Sequence, residues 1–189
     1  IIADNSVNPE FLALDLISQA EHSSDTFCYL ITNSEKTAKL VNHIILKILP
    51  TIQRRDLVKS SLSKNGFIAV CKNNSDMIDL VNSLAPEHLQ IMTKNPKSIS
   101  SKITTSGLVL LGDYSPSSAS DYILGSNHIL PTNGFGKIRG SLSVMDFIKI
   151  NTEVTASKSS LSKISKYLDT LTTAEGLPNH YEAVRGRLQ

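Results

Sequence analysis

Short apolar runs alternate with amphipathic segments through the first part of the chain. Four runs have the length and aliphatic character of single buried strands: TFCYLIT (26–32), GFIAVCK (66–72), HLQIMT (88–93) and GLVLLG (107–112). The segments before and between them have helical periodicity, and the first begins with Asn8 as N-cap and Pro9 at the first helical position. Such alternation with short connections is typical of parallel sheets covered by helices. The sequence therefore predicts an α/β fold with functional residues at the carboxyl ends of the strands.

The pattern changes after about residue 113. The stretch DYSPSSASDYILGSNHILPTNGFGKIRGSLSVMDF is rich in Gly, Ser, Pro and Asn. An irregular stretch of this length within a compact domain is usually functional. The remaining tail, SKSSLSKISKYLDTLTTAEGLPNHYEAVRGRLQ, predicts two helices joined by a Gly-Leu-Pro turn.

Charge and hydropathy limit the classes of function. Lys and Arg total 19, Asp and Glu total 17, and the basic residues are scattered, so no nucleic-acid partner is expected. No apolar run approaches about 18 residues, so no membrane span is expected. Cys28 and Cys71 lie in apolar runs and are predicted to be buried free thiols, which favours the cytoplasm. The chain begins with Ile1 inside a predicted strand and has no signal-peptide pattern; we expect a fragment, a processed chain or a truncation.

Two polar pairs near predicted element ends are candidates for chemistry. In SQAEH, Gln19 and His22 are three residues apart near a helix end and project on the same side. They are candidates for a shared metal, although glutamine is an infrequent zinc ligand, and a polar helix end is the alternative. In LAPEHLQIM, Glu87 and His88 lie where a helix gives way to a strand. A carboxylate and an imidazole there are suited to divide water activation and proton transfer, and a solvated strand edge is the alternative.

Further candidates lie in the irregular stretch and the tail. Asp121 is a candidate oxygen ligand for a metal, and His128 precedes an apolar run, where capping a turn is the alternative. Glu175 and His180 lie at the turn between the two predicted helices, where exposed polar residues are common. The glycines of GFGKIRG (134–140) lack the spacing and the context of a dinucleotide-binding fingerprint, so no residue is assigned to cofactor binding.

Five of these segments, in this order, resemble the signature segments of histidinol dehydrogenase. They are SQAEH, LAPEHLQI, SDYILGSNHILPT, SLSVMDFIK and AEGLPNHYEAVRGRL, and the resemblance runs along the whole chain. It implies a zinc-dependent enzyme that oxidises L-histidinol to the aldehyde and then to L-histidine with NAD⁺, the last step of histidine biosynthesis. It also implies one zinc per subunit and a homodimer across which the C-terminal tail reaches.

The resemblance implies a role for each matched position. The implied zinc ligands are Gln19, His22, Asp121 and His180. The implied acid/base pair is Glu87 and His88. The implied substrate contacts are His88, Asp121, Glu175 and His180. A mixed nitrogen and oxygen ligand set leaves room for the substrate at the metal, unlike a closed site of four cysteines.

The sequence departs from the family pattern in two positions and in length. Gln90 stands where the family usually carries an acidic residue, and Ser120 stands where glycine is usual. Neither is a matched catalytic position. Family members are considerably longer and have an additional N-terminal half, which carries most of the NAD contacts and a serine that touches the substrate.

The sequence and the resemblance together predict two parts. Residues 1–140 are expected to form an incomplete Rossmann-like parallel sheet with most of the zinc and acid/base residues, and residues 141–189 a mostly helical arm exchanged in the homodimer. The expected activity is histidinol oxidation. The alternatives are a non-catalytic α/β module that binds zinc or an imidazole ligand, and a dimerisation fragment without NAD-dependent turnover.

Overall fold

The computed structural model describes residues 1–189 and contains five strands and eight α-helices. The strands are β1 (Ile2–Ala3), β2 (Tyr29–Thr32), β3 (Phe67–Val70), β4 (His88–Met92) and β5 (Leu108–Leu111). The helices are α1 (Pro9–Ala20), α2 (Glu35–Ile48), α3 (Arg55–Asn65), α4 (Asn74–Leu84), α5 (Pro96–Ser100), α6 (Ser117–Tyr122), α7 (Lys158–Ala174) and α8 (Pro178–Leu188). The chain divides into unit 1 (Ile1–Asp146) and unit 2 (Phe147–Gln189).

Unit 1 contains one sheet in which all five strands are parallel. The strand order is β3-β2-β1-β4-β5, so β2 and β3 are added on one side of β1 and β4 and β5 on the other. His88 pairs with Leu108, and β2 pairs with β3 from Tyr29 onward. The predicted α/β fold with a Rossmann-like parallel sheet is confirmed.

Two apolar clusters cover the two faces of this sheet. Successive strand residues point to opposite faces, so Leu30 belongs to one cluster and Ile31 to the other. The first cluster packs side chains of α1, α2 and α3 against the sheet, and the second packs side chains of α4 and α5 against the opposite face. Met92 belongs to the first cluster and Ile91 to the second, so residues 88, 90 and 92 face α1. This alternation places His88 and Gln90 on the α1 side of β4.

Local sequence explains how α1 begins and why β2 is shorter than predicted. Asn8 Oδ1 accepts a hydrogen bond from the Glu10 N–H at 3.0 Å, and Pro9 is the first helical residue, which confirms the predicted helix start. The predicted strand at 26–32 begins only at Tyr29, because Phe27 is 64% exposed and lies outside the sheet. Cys28 is buried and Cys71 is half-buried; both are free, and each adjoins a strand rather than lying within one.

The Gly- and Ser-rich stretch packs tightly at one glycine. Gly136 lies in a short 3₁₀ turn and is buried against the loop that precedes β5. A Cβ atom there would lie 2.1 Å from the Thr105 carbonyl oxygen and 3.1 Å from the Gly107 nitrogen. Because both neighbours are backbone atoms, any side chain larger than hydrogen must displace the loop.

We therefore expect Gly136→Ala to lower the free energy of unfolding by about 1–3 kcal/mol, the usual cost of overpacking. The matched control is Gly140→Ala, whose Cβ would meet only the Gly107 carbonyl oxygen, at an ordinary 3.6 Å. Urea unfolding of both variants measures the difference. Equal midpoints for the two variants would contradict the tight packing at Gly136.

Unit 2 is a helical hairpin. Ser157 caps α7 through a hydrogen bond that its Oγ accepts from the Ser160 N–H at 3.0 Å. Gly176, with φ of +72°, takes the left-handed conformation that ends α7, and α8 begins with Pro178 two residues later. The predicted pair of helices with a Gly-Leu-Pro turn is confirmed. None of the helices combines the length and the apolar character of a membrane span.

Candidate active site

A hydrogen bond joins two of the predicted site residues across 33 positions of sequence. His88 is the first residue of β4, and Asp121 lies in α6. His88 Nε2 lies 3.0 Å from Asp121 Oδ1, and the two side chains are only 16% and 17% exposed. The fold therefore places an imidazole and a carboxylate from separate motifs in direct, largely buried contact.

This contact determines which nitrogen of His88 is free to accept a proton. An ionised carboxylate only accepts hydrogen bonds, so Nε2 carries the hydrogen in the contact with Asp121. In the neutral ring Nδ1 then keeps its lone pair. His88 is therefore held in the tautomer in which Nδ1 is the basic atom.

Glu87 lies on the other side of the same ring. Its Oε1 is 3.9 Å from His88 Nδ1, and its side chain is 38% exposed. Burial raises the pKa of the Glu87 carboxyl above its ordinary value; the charge of His88 lowers it, that of Asp121 raises it and that of His22 lowers it. A raised pKa brings a carboxyl group closer to the range in which it exchanges protons near neutral pH.

A cavity of about 660 Å³ opens beside this pair at the amino edge of the sheet. Its lining includes Glu87 and His88, the segment 26–29 that leads into β2, and residues 132–134 of the Gly- and Ser-rich stretch. Glu87 and His88, the predicted acid/base pair, therefore lie at the amino edge of the sheet and not at the carboxyl ends of the strands, where functional residues were expected. The reason is that the chain beyond β5 returns to the amino edge and builds the cavity wall there.

The carboxyl edge is tied together at the point where the strand order reverses. Asp4 follows β1, and its Oδ2 accepts a hydrogen bond from the Lys94 N–H beyond β4 at 2.9 Å. Its Oδ1 accepts another from the Ser6 N–H at 2.9 Å. The bond from Lys94 joins the ends of β1 and β4, and the bond from Ser6 fixes the Asp4 side chain locally.

The segment SQAEH contributes one residue directly to the cavity. Gln19 lies in the last turn of α1 and lines the cavity with Glu87 and His88. His22 lies two residues beyond the end of α1, so the predicted common helical face is only partly realised. The His22 N–H donates to the Gln19 carbonyl oxygen at 3.3 Å, and His22 is close enough to Glu87 for its charge to lower the Glu87 pKa.

The remaining predicted residues lie elsewhere in the chain. Glu175 is the C-cap of α7, and His180 lies in the first turn of α8, both in unit 2. His128 is exposed in the Gly- and Ser-rich stretch. The roles of Glu175 and His180 stay predictions, and unit 1 holds Gln19, His22 and Asp121 of the predicted ligands.

Three further residues of the cavity wall escaped the sequence analysis. Asp15, Gln90 and Ser117 line the cavity and are joined by hydrogen bonds: Gln90 Nε2 donates to Asp15 Oδ2 at 2.8 Å, and Ser117 Oγ donates to Gln90 Oε1 at 3.2 Å. In the sequence, Gln90 is distinguished only by its departure from the family pattern. Spacing is the available signal, since each residue lies four positions along a helix, or two positions along a strand, from a predicted site residue.

A sequence model described as histidinol dehydrogenase matches residues 1–188, nearly the whole chain. The chain belongs to the histidinol dehydrogenase family. It is 40% identical over 189 residues to the histidinol dehydrogenase of Methanocaldococcus jannaschii and 38% identical over 187 residues to that of Oceanobacillus iheyensis. These matches cover 100% and 99% of this chain, and 44% of each relative.

A solved structure of the same family has the same fold. The crystal structure of histidinol dehydrogenase from Elizabethkingia anophelis superposes with a TM-score of 0.87 at 35% sequence identity. The superposition covers 99% of this chain and 43% of the other. The chain thus spans less than half the length of the histidinol dehydrogenases that it matches.

Histidinol dehydrogenases use zinc and NAD, and two of the predicted ligands in unit 1, an imidazole and a carboxylate, are of types that bind zinc. Asp121 Oδ1 accepts the hydrogen bond from His88, which leaves Oδ2 as a donor atom for a cation. His22 adds an imidazole and Gln19 an amide oxygen, so the set mixes nitrogen and oxygen. Unit 1 contains no group of three His, Cys, Asp or Glu side chains placed to hold a metal ion. Of the predicted ligands in unit 1, only His22 and Asp121 are of these residue types, and Gln19 is the third.

Proposed function

We propose that the protein carries the zinc-binding and proton-transferring part of a histidinol dehydrogenase, which oxidises L-histidinol to L-histidine through L-histidinal. The observation that supports this most is the buried contact of His88 with Asp121 beside Glu87. Two family motifs that are far apart in sequence thereby meet at one cavity. The two free cysteines agree with a cytoplasmic enzyme.

His88 is the proposed base for the alcohol. Zinc held by the proposed ligands would orient the substrate, and NAD⁺ would accept the hydride. His88 Nδ1 takes the proton of the substrate hydroxyl, because Nε2 is held by Asp121. Asp121 stabilises the positive charge that the ring gains, so the proton is retained at Nδ1 until it passes to solvent.

Glu87 is the proposed base for water in the second oxidation. Its carboxylate lies 3.9 Å from the His88 ring and borders the same cavity, so one water molecule there can contact both side chains. Glu87 takes a proton from the water that adds to the aldehyde. The raised pKa of Glu87 suits this step, since a stronger base removes the proton more readily.

The proposed binding residues come from both units. In this proposal the zinc ligands are Gln19, His22, Asp121 and His180, and the substrate contacts are His88, Asp121, Glu175 and His180. Unit 2 would then complete the site of a second copy in a homodimer. The α7 face formed by Ile164, Tyr167 and Leu171 supports an interface, since these three side chains are 53–60% exposed and follow a helical spacing.

Histidinol-dependent formation of NADH by the zinc-loaded protein tests this proposal. We expect turnover that depends on added zinc and is lost in Glu87→Gln and in His88→Asn. The second candidate is a module that binds zinc and histidinol without hydride transfer, because no residue of this sequence is assigned to NAD binding. Zinc-dependent histidinol binding without NADH would support the second candidate, and absence of both would contradict both.

We expect His180→Ala to weaken zinc retention while the α/β unit stays folded, because His180 is a proposed ligand on a separate unit. The matched control is Asn179→Ala, the preceding residue of the same helix. Zinc content after dialysis and the circular dichroism of both variants give the comparison. Unchanged zinc content in His180→Ala would remove His180 from the proposed ligand set.

A further inference from the structure

We propose that the bridge formed by Asp15, Gln90 and Ser117 positions the candidate active site. The bridge joins α1, β4 and α6, the three elements that carry Gln19, His88 and Asp121. In this role the three residues act through the site residues rather than on the substrate. The inference rests on the proposed function for its zinc-binding measurement, whereas its measurement of the His88 ring does not require zinc.

Two of the three bridge residues are buried, Asp15 is half-buried, and the polarity of the bridge is fixed. Gln90 and Ser117 are each 3% exposed. The Asp15 carboxylate only accepts, so the amide NH₂ of Gln90 faces Asp15 and its oxygen faces Ser117. Leaving such buried groups unpaired costs more than the bonds contribute when made, so the three elements are held where all members are paired.

Each bridge residue lies on the same face of its helix or strand as a site residue, one helical turn or one strand period away. Asp15 precedes Gln19 by four residues on α1, and Ser117 precedes Asp121 by four on α6, so both pairs share a helix face. Gln90 follows His88 by two residues on β4, which places both side chains on the same side of the sheet. The bridge therefore forms the part of the cavity wall that adjoins the candidate site residues.

Two hydrogen bonds in parallel fix α6 against β4. One is the site contact between His88 and Asp121 at 3.0 Å, and the other is the bridge contact between Gln90 and Ser117 at 3.2 Å. A single contact leaves a helix free to pivot about it, whereas two contacts one turn apart determine its rotation. This matters because α6 has only six residues and no side-chain N-cap.

The test substitutes the central residue of the bridge in the full chain. Gln90→Leu keeps the approximate volume and removes both hydrogen bonds. We expect the zinc dissociation constant to rise by at least roughly 10-fold, as for the loss of partners that orient metal ligands. We also expect the ¹⁵N signals of the His88 ring, recorded without zinc at one fixed pH, to move toward those of a mixture of tautomers, because the Asp121 contact loosens.

Asn82→Ala is the matched control. Asn82 ties α4 to the segment before β5 by donating to the Lys102 carbonyl oxygen and accepting from the Thr104 N–H, each at 3.0 Å. Its loss removes a comparable polar tie at a place outside the cavity lining. We expect this variant to lose stability while its zinc dissociation constant and the His88 signals stay those of the parent.

Ser117→Ala removes only one hydrogen bond and takes the place of Gln90→Leu if that variant does not fold. In the double variant Gln90→Leu/Ser117→Ala, we expect the zinc dissociation constant to be close to that of Gln90→Leu alone, because the two residues belong to one hydrogen-bonded bridge. Unchanged zinc affinity and unchanged His88 signals in a folded bridge variant would overturn the inference. If the parent binds no zinc, the zinc part of the proposed function fails, and the His88 signals alone decide on the bridge.

Discussion

Replacing His88 with asparagine should lower the rate of histidinol oxidation by about 10²–10⁴-fold, the usual contribution of a positioned acid/base group. The asparagine side chain can still form hydrogen bonds, but it cannot take up a proton. The substitution removes the basic Nδ1 that faces Glu87. The initial rate of NADH formation at saturating histidinol measures the effect on kcat.

The control is His43→Asn, the same chemical change at an exposed position of α2. Histidinol binding to both zinc-loaded variants separates lost proton transfer from lost binding. We expect kcat to fall far more than histidinol affinity in the His88 variant. A rate within about 2-fold of the parent would show that His88 is not the base, since that loss is far below what general-base catalysis contributes.

Replacing Asp121 with alanine should weaken zinc binding at least about 100-fold, which is the upper limit for loss of a partner that only orients a ligand. The reason is that a proposed direct ligand is lost together with the acceptor that orients His88. Competition with a chromogenic chelator measures the zinc dissociation constant. The His88 ring, freed from its partner, should also lose its single tautomer.

The matched control is Asp113→Ala, an exposed carboxylate in the loop after β5. Like Asp121→Ala, it removes one negative charge from unit 1, but Asp113 does not line the cavity. We expect its zinc affinity to equal that of the parent. If the Asp121 and Asp113 variants bind zinc alike, Asp121 is not a ligand.

Local signals predicted the elements well because each depends on neighbouring residues. Asn8 and Pro9 determine where α1 begins, and alternation of apolar residues identifies β4, which starts at His88 as the motif required. Gly176 and Pro178 mark the turn between α7 and α8. In each case the deciding contacts lie within a few residues of sequence.

The site was predicted less completely because its geometry depends on contacts distant in sequence. The general rule for parallel sheets points to the carboxyl ends, yet the chain after β5 folds back over the amino edge and forms the cavity there. Phe27 was assigned to β2 because it is apolar, although the sheet does not include it. Gln90 was noticed only as a substitution, since its partners Asp15 and Ser117 are 75 and 27 residues away.

Calorimetric titration of the zinc-loaded protein with L-histidinol tests the central claim most directly, because it does not require turnover. We predict one histidinol per chain, binding that disappears when zinc is removed or Asp121 is replaced by alanine, and much weaker binding of L-leucinol, an amino alcohol without the imidazole. Histidinol binding that is independent of zinc and of Asp121, or equal binding of the two amino alcohols, would contradict the assignment of this cavity as a histidinol dehydrogenase site.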